Sequence, residues 1–237
     1  FWSFRPLHKT APPEIKDDNW SKNEIDKFIL NSLREKKLRP NPSAEKTALA
    51  RRLYLSVIGL PPTPEQMQEF IQDERPDAAS HLVNRLLQNK HFGEKWARHW
   101  LDVARFGESH GFEQDYDRPH AYHFRDFVIT AFNSDLPFDQ FVKWQLAGDE
   151  LKPNEPLALM ATGFLGAGVF PTQLTEKEFE SARYDELDDM ASTVGTAMLG
   201  LTIGCARCHD HKFDPIPQRD YYQFVSTFTT TIRSEVE

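Results

Sequence analysis

Several features are scarce in this sequence of 237 residues, and each absence narrows the kind of protein it can be. No apolar run approaches the ~20 residues that a helix needs to span a bilayer, so we expect no membrane insertion. The net charge of −8 argues against nucleic acid or an anionic membrane as the main partner. Segments with the alternating pattern of strands are nearly absent, which predicts an all-α fold.

Cysteine is the scarcest of the reactive residues. The two cysteines, Cys205 and Cys208, lie three positions apart, and His209 follows the second directly. This Cys-x-x-Cys-His spacing is that of c-type haem attachment. Two thiols one helical turn apart can each add to a vinyl group of one porphyrin, and the next side chain then lies beneath the iron. We therefore predict a covalent haem c on Cys205 and Cys208, with His209 as the proximal ligand.

Three other chemistries also use a close pair of cysteines. The pair could form a small disulfide, act as a redox-active dithiol or supply half of a zinc site, and none of these requires the histidine. A zinc site would need two more ligands from His209, His211 or a distant histidine, which is an unusual set. A thioredoxin-like dithiol belongs after a strand in a βαβ context, and the sequence has no such context.

Helical periodicity organises the rest of the chain. We expect one irregular multi-helix domain with long loops and with the haem-attachment motif near its C-terminus. An arm over 1–20 would dock its aromatic residues, 22–90 would form a helical scaffold, and 91–237 would form the half that holds the cofactor. This half opens with an amphipathic helix from His91 to Arg105. The apolar face predicted for that helix carries Phe92, Trp96, Trp100 and Val103.

One loop between two aromatic helices breaks the periodicity. The segment 107–117 holds two glycines, a histidine and four acidic residues. Because loops carry function more often than helices do, His110 becomes a candidate site residue. We predict that it lies on the face of the haem opposite His209, as distal ligand or as the polar residue lining an open iron site. Met190 and Met198 are the alternative donors, although their place on a helix favours apolar packing.

Charged residues lie on both sides of His209. Arg207 and Lys212 are candidates to pair with a haem propionate, since guanidinium and ammonium groups bind carboxylates. Asp210 and Asp214 are expected to orient the surrounding backbone.

Five stretches of the chain together resemble a known family. They are Gly59-Leu60-Pro61-Pro62-Thr63-Pro64, Trp96-Ala97-Arg98-His99-Trp100-Leu101-Asp102, Arg125-Asp126-Phe127-Val128-Ile129, Gln145-Leu146-Ala147-Gly148-Asp149 and Cys205 through Ile216. The combination resembles the second of the planctomycete cytochrome c-type domains, a domain of unknown function from large secreted proteins, and covers Trp2 to about Phe228. The family's Cys-x-x-Cys-His signature is matched by Cys205, Cys208 and His209, and a further position is matched by Ser109-His110-Gly111.

The resemblance implies a location and partners rather than a reaction. It implies an exported multidomain parent, hence a periplasmic or secreted place, with other domains of that parent as partners. Attachment of haem to two thiols also takes place outside the cytoplasmic membrane, so we expect an export signal upstream of Phe1. The resemblance names neither a redox partner nor a substrate class.

Three functional hypotheses result. The leading one is a c-type haem domain that transfers electrons within a larger extracytoplasmic redox protein. The second is an enzyme module with an open iron site, or with a metal held by His110, His209 and His211, acting on a substrate such as a polysaccharide. The third is a cofactor-free scaffold in which Cys205 and Cys208 form a disulfide.

Overall fold

The structure, a computed structural model, describes residues 4–112 and 114–233. Helices account for 55% of the chain and no strand forms in these residues, which confirms the all-α prediction. The chain divides into two compact units, Phe1–Leu49 and Ala50–Glu237. None of the helices in the described part is long and apolar enough to cross a membrane. Trp2, an aromatic residue of the predicted arm, lies outside the described residues.

Ten α-helices form in the described part of the chain. In chain order they are α1 Glu24–Glu35, α2 Lys46–Val57, α3 Pro64–Gln72, α4 Ala78–Leu87, α5 His91–Val103, α6 Tyr122–Asn133, α7 Phe138–Leu151, α8 Pro156–Ala161, α9 Phe179–Val194 and α10 Gln218–Ser226. A π-helical turn over Gly195–Leu199 and a 3-10 turn over Ile203–Arg207 connect α9 with the cysteine segment. The large core of the second unit is formed by apolar side chains from α5 to α10.

The start of α3 shows how local sequence sets a helix boundary. The Thr63 hydroxyl accepts a hydrogen bond from the Gln66 amide, and the Gln66 side chain accepts one from the Thr63 amide. Pro64 occupies the first helical position, where its missing N–H costs nothing. This reciprocal capping satisfies two amides that the first turn leaves without helical partners.

The buried face of α5 differs from the predicted face. Trp96 is 38% exposed and Val103 is 47% exposed, so the predicted stripe was wrong at these positions. Gly93 and Ala97 are buried instead. A Cβ atom on Gly93 would lie 2.4 Å from the Ile129 carbonyl oxygen of α6. The two helices approach so closely that small residues make the contact, and the large residues lie to its sides.

Trp96 closes the end of α2 instead of filling the core. Its indole N–H donates to the Val57 carbonyl at 3.1 Å, and the neighbouring Lys95 ammonium donates to the Leu55 carbonyl at 2.7 Å and to the Ser56 carbonyl. The last carbonyls of a helix lack helical partners and favour a cation. Lys95 and Trp96 therefore tie α2 to α5.

Gln145 is a fully buried polar side chain in α7. Its amide oxygen accepts from the Trp100 indole N–H at 2.7 Å, and its amide nitrogen donates to the Phe141 carbonyl at 2.9 Å. A buried amide without partners is destabilising, so these two bonds fix how α5 and α7 pack. Three residues later, a Cβ on Gly148 would lie 2.1 Å from the Ala158 carbonyl oxygen of α8.

Substitution of Gly148 tests this close packing. We expect Gly148→Ala to lower the free energy of unfolding by about 1–3 kcal/mol, because the new methyl group meets backbone and α8 must move away. Gly166→Ala is the matched control, since the nearest atom to its new Cβ would lie 3.9 Å away, and its effect should stay within about 0.5 kcal/mol. Urea denaturation at unchanged m value measures both, and equal midpoints for the two variants would contradict this account.

Candidate functional site

The two cysteines lie at a 3-10 turn that is held in place by its buried residues. Ile203 and Ala206 are buried, whereas Cys205 and Cys208 are exposed and carry free thiols. Residues i and i+3 eclipse one another in a 3-10 helix, and Cys208 keeps helical backbone angles at its end. Both thiols therefore face solvent on the same side of the segment.

The turn packs closely on α9. A Cβ on Gly204 would lie 2.5 Å from the Ser192 hydroxyl oxygen, and a Cβ on Gly195 would lie 2.7 Å from the Ile203 side chain. The glycines before the motif therefore allow the turn to approach a helix of the same chain. Met190 of that helix is buried in the core, and Met198 packs against the core, in keeping with the apolar role expected for both.

Arg207, between the two cysteines, fixes the segment to α9. Its guanidinium donates to the Asp188 carboxylate at 3.0 Å and to the Asp185 carboxylate at 2.7 Å. The hydrogen bond to Asp185 first, and then the charge of Asp188, raise the pKa of Arg207 above its ordinary value. A haem propionate would have to compete with two carboxylates for this side chain.

The other contacts of the turn come from α10. The Arg207 carbonyl accepts from the side-chain amide nitrogen of Gln218 at 2.9 Å and from the Tyr222 hydroxyl at 3.0 Å. The Tyr221 hydroxyl donates to Asp188, which also binds Arg207. Burial first, and then this hydrogen bond, raise the pKa of Tyr221. Asp188 is thus a shared acceptor for the motif and for α10.

His209 is exposed, and one hydrogen bond determines which of its nitrogens carries a proton. Its Nδ1 lies 2.8 Å from the Asp210 carbonyl oxygen, which can only accept, so Nδ1 carries the hydrogen. In the neutral ring Nε2 then carries the lone pair. Metal-ligating histidines have this arrangement, in which the second ring N–H donates to a carbonyl or carboxylate. The Asp210 carboxylate accepts from the backbone amide of Gln218 at 2.7 Å. This bond holds Asp210 in place, and the Asp210 carbonyl in turn orients the His209 ring.

His211 has the opposite arrangement. Its Nδ1 accepts from the Asp214 amide at 2.8 Å and from the Phe213 amide at 3.2 Å, so the proton lies on Nε2, which donates to the Thr202 hydroxyl at 3.1 Å. The Asp214 carboxylate lies 3.5 Å from the same Nδ1, and the shorter backbone contact decides the tautomer. Both ring nitrogens are engaged within the loop, which assigns His211 to holding the loop together.

Lys212 and Phe213 project from the same loop. Both are exposed, and the Lys212 ammonium lies 5.3 Å from the centre of the Phe213 ring. Of the two cations considered for a propionate, Lys212 is therefore more accessible than Arg207, which is held by carboxylates.

His110 lies in a second loop that is tied to the segment 166–170. The His110 carbonyl accepts from the Phe170 amide at 3.0 Å, and the Arg118 guanidinium donates to His110 Nδ1 at 3.3 Å. Nδ1 is therefore an acceptor and Nε2 carries the proton. Iron coordination through Nε2 would require a proton on Nδ1, directed at the Arg118 donor. This contact favours a polar role for His110 over that of a distal ligand.

Arg118, which sequence reasoning missed, holds the two loops together. It donates to the Ala167 carbonyl at 3.0 Å and to the Gly168 carbonyl at 2.6 Å. Burial first, and then the charges of Arg233 and Arg105, lower the pKa of Arg118 to about 10. No periodicity or motif marks Arg118 in the sequence, because its partners are backbone carbonyls from a distant segment.

Metal ligation by several side chains of this chain finds no support in the described residues. Among them, no group of three or more His, Cys, Asp and Glu side chains is arranged to hold a metal ion. The set His110, His209 and His211 considered above is not gathered into one such site.

One protein family matches the chain over residues 24–233. It is PSCyt2, described as a protein of unknown function (DUF1549). The chain belongs to the PSCyt2 family. No curated protein and no solved structure matches it. The predicted family is thereby confirmed, whereas the cytochrome c character attached to it stays a prediction.

Most stretches that carry the resemblance to this family have structural roles. Thr63 caps α3, Trp96 closes α2, and Gln145 joins α5 to α7. Arg125 of α6 donates to the Glu108 carboxylate at 2.8 Å and so fastens the loop of His110. In this PSCyt2 domain the stretch from Cys205 to Ile216 presents two thiols and the His209 imidazole to solvent.

The raised pKa of Tyr221 predicts a pH effect on stability. The phenol keeps its proton in the folded protein, whereas in the unfolded chain it loses the proton above pH ~10. Its contribution to stability is therefore complete below that pH and is lost as the pH rises further. Tyr221→Phe should make the alkaline fall in the midpoint of urea unfolding shallower.

Tyr184→Phe is the control for this measurement, because its ring is half exposed to water. Its alkaline profile should run parallel to that of the unsubstituted chain. The account is contradicted if Tyr221→Phe and the unsubstituted chain lose stability equally steeply above pH ~10.

Proposed function

We propose that this domain carries a haem c attached to Cys205 and Cys208 and transfers electrons within a larger extracytoplasmic protein. The observation that carries the proposal is the tautomer of His209, whose Nδ1–H donates to the Asp210 carbonyl and whose Nε2 retains a lone pair. A disulfide or a dithiol makes no use of such an imidazole, whereas a haem iron does. The ligand-type histidine thus supports the leading hypothesis over the scaffold hypothesis.

The placement of the thiols also fits a porphyrin. Cys205 and Cys208 are exposed, free and on one side of the turn, so both sulfur atoms face the same volume of solvent. Each thiol would add across one vinyl group to form a thioether, a reaction that neither releases nor consumes electrons. The bound haem would supply an iron that gains and loses one electron. Arg207, Asp188 and the α10 contacts would keep the attachment segment rigid.

Other residues of the site take narrower roles in this proposal. Lys212 is exposed and is the better candidate to pair with a propionate, because Arg207 already has two carboxylate partners. His110, bonded through Nδ1 to Arg118, fits a polar residue near an open iron position better than a ligand. The other domains of the parent protein are the proposed electron partners.

Covalent attachment is the first test. When the domain is matured in a periplasm with a cytochrome c assembly system, its intact mass should exceed that of the polypeptide by one haem. Its pyridine haemochrome should be of c type, because both vinyl groups are consumed. The double variant Cys205→Ala, Cys208→Ala is the control and should carry no covalent haem. A mass lower by two hydrogens, with no haem, would instead establish a disulfide.

The histidines provide a second test. His209→Ala should shift the Soret band and change the spin state of the haem protein, since the proximal ligand is lost. His120→Ala, at an exposed position, should leave the spectrum unchanged. His110→Ala should have a smaller effect than His209→Ala. It should change the binding of added cyanide and leave the resting spectrum unchanged. A resting spectrum altered by Met198→Ala and unaltered by His110→Ala would assign the second axial position to methionine.

A further inference from the structure

A cleft of about 320 Å³ lies between the loop of His110 and α9. One wall is apolar and includes Phe112, Val169 and Phe170, and the other wall is the acidic face of α9. Phe112 is 61% exposed and Val169 is 63% exposed, so both present apolar surface to whatever enters. The volume is at the lower end of the ~300–1,000 Å³ of small-molecule sites.

This cleft connects the two segments that the sequence singled out. Phe170 in its wall is bonded through its amide to the His110 carbonyl at 3.0 Å. Asp185 in the opposite wall accepts from Arg207, between the two cysteines, at 2.7 Å. A molecule in the cleft therefore lies one side chain away from the attachment turn.

Four carboxylates line the cleft, from Glu178, Asp185, Glu186 and Asp189. Three of them are paired with arginines. Asp189 binds Arg105, and Asp185 binds Arg207. Glu186 binds Arg183 at 2.5 Å and Arg233 at 3.3 Å. Because these charges are already compensated, the cleft has little excess negative charge to attract a cation, and its carboxylates disfavour an anion.

The paired carboxylates still offer hydrogen-bond acceptors. An ionised carboxylate has about four acceptor positions, and one or two N–H donors do not fill them. The Asp185 side chain is 67% exposed, and the Glu178 carboxylate accepts from the amide and the hydroxyl of Thr175 through one of its oxygens. A fitting ligand is therefore uncharged, rich in hydroxyl donors and apolar on one face. Those properties together describe a sugar ring.

We infer that the cleft between Phe112 and α9 binds a neutral saccharide of one or two rings, with the apolar ring face on Phe112 and Val169 and hydroxyl groups on Asp185 and Glu178. This site does not depend on the proposed haem, since its lining includes neither cysteine and not His209. A haem-free domain should bind the sugar as well as a haem-loaded one.

Saturation-transfer NMR of the haem-free chain tests the inference. The probes are neutral hexoses, deoxyhexoses, pentoses and their disaccharides, with glucuronate and trilysine as charged comparisons. We expect transfer to at least one neutral sugar, and shifts of backbone amides confined to 110–112, 169–174 and 178–189. Transfer to none of the neutral sugars at millimolar concentration overturns the inference, and so does binding of trilysine in their place.

Variants then locate the site. Phe112→Ala and Asp185→Ala should each weaken the sugar that binds best by about tenfold, the loss expected for one ring contact or one charged acceptor. Phe138→Ala removes a phenylalanine of matched exposure, 64%, from the start of α7 and should leave the affinity unchanged. Equal affinities for all three variants place the sugar elsewhere and overturn the assignment.

Discussion

Ion pairs between the carboxylates of α9 and arginines from other segments hold the irregular parts of this protein in place. Asp185 and Asp188 bind Arg207 of the cysteine turn. Asp189 binds Arg105 at the end of α5, and Glu186 binds Arg233. Three segments outside the α-helices thereby acquire fixed positions against one helix. The pairs made by Asp188, Asp189 and Glu186 are partly buried, so removing one partner would leave a poorly solvated charge, whereas the pair made by Asp185 is largely exposed and contributes less.

Hydrogen bonds determine which ring nitrogen carries the proton in each of three histidines, and the result differs among them although their side chains are identical. His209 donates through Nδ1 to a carbonyl, whereas His110 and His211 accept at Nδ1 from an arginine and from backbone amides. The tautomer follows from the partner, and the partner follows from how each loop is folded. Only the first arrangement leaves the lone pair on Nε2, whereas in the other two it lies on Nδ1 and already accepts from N–H donors.

The sequence was informative where local chemistry decides the structure. The capping box at Thr63 forms between residues three positions apart, and a helix start of this kind can be recognised from the sequence. The inward face of α5 did not follow, because the closeness of α6 is decided by Gly93 meeting the Ile129 carbonyl, a contact between distant segments.

The candidate site shows the same division. The spacing of Cys205, Cys208 and His209 is visible in the sequence, and so is the chemistry it suggests. The roles of Asp188 and Arg118 are not visible, since an acidic run usually indicates a solvated face and a lone arginine carries no pattern. The partner of Asp188 in the cysteine turn, Arg207, lies 19 residues away, and the Gly168 carbonyl bound by Arg118 lies 50 residues away. The contacts that set the tautomers join residues one to nine positions apart, but they depend on how each loop is folded, and periodicity does not encode that.

The central claim is that the Asp210 carbonyl holds His209 in the Nδ1–H tautomer and that backbone amides hold His211 in the Nε2–H tautomer. Long-range ¹H–¹⁵N correlation spectra of the haem-free domain at neutral pH report the protonated nitrogen of each imidazole directly. The account predicts the Nδ1–H tautomer for His209 and the Nε2–H tautomer for His211, with resonances assigned from His209→Ala and His211→Ala. An Nε2–H tautomer at His209 would contradict it, because the lone pair would then face the Asp210 carbonyl instead of the solvent.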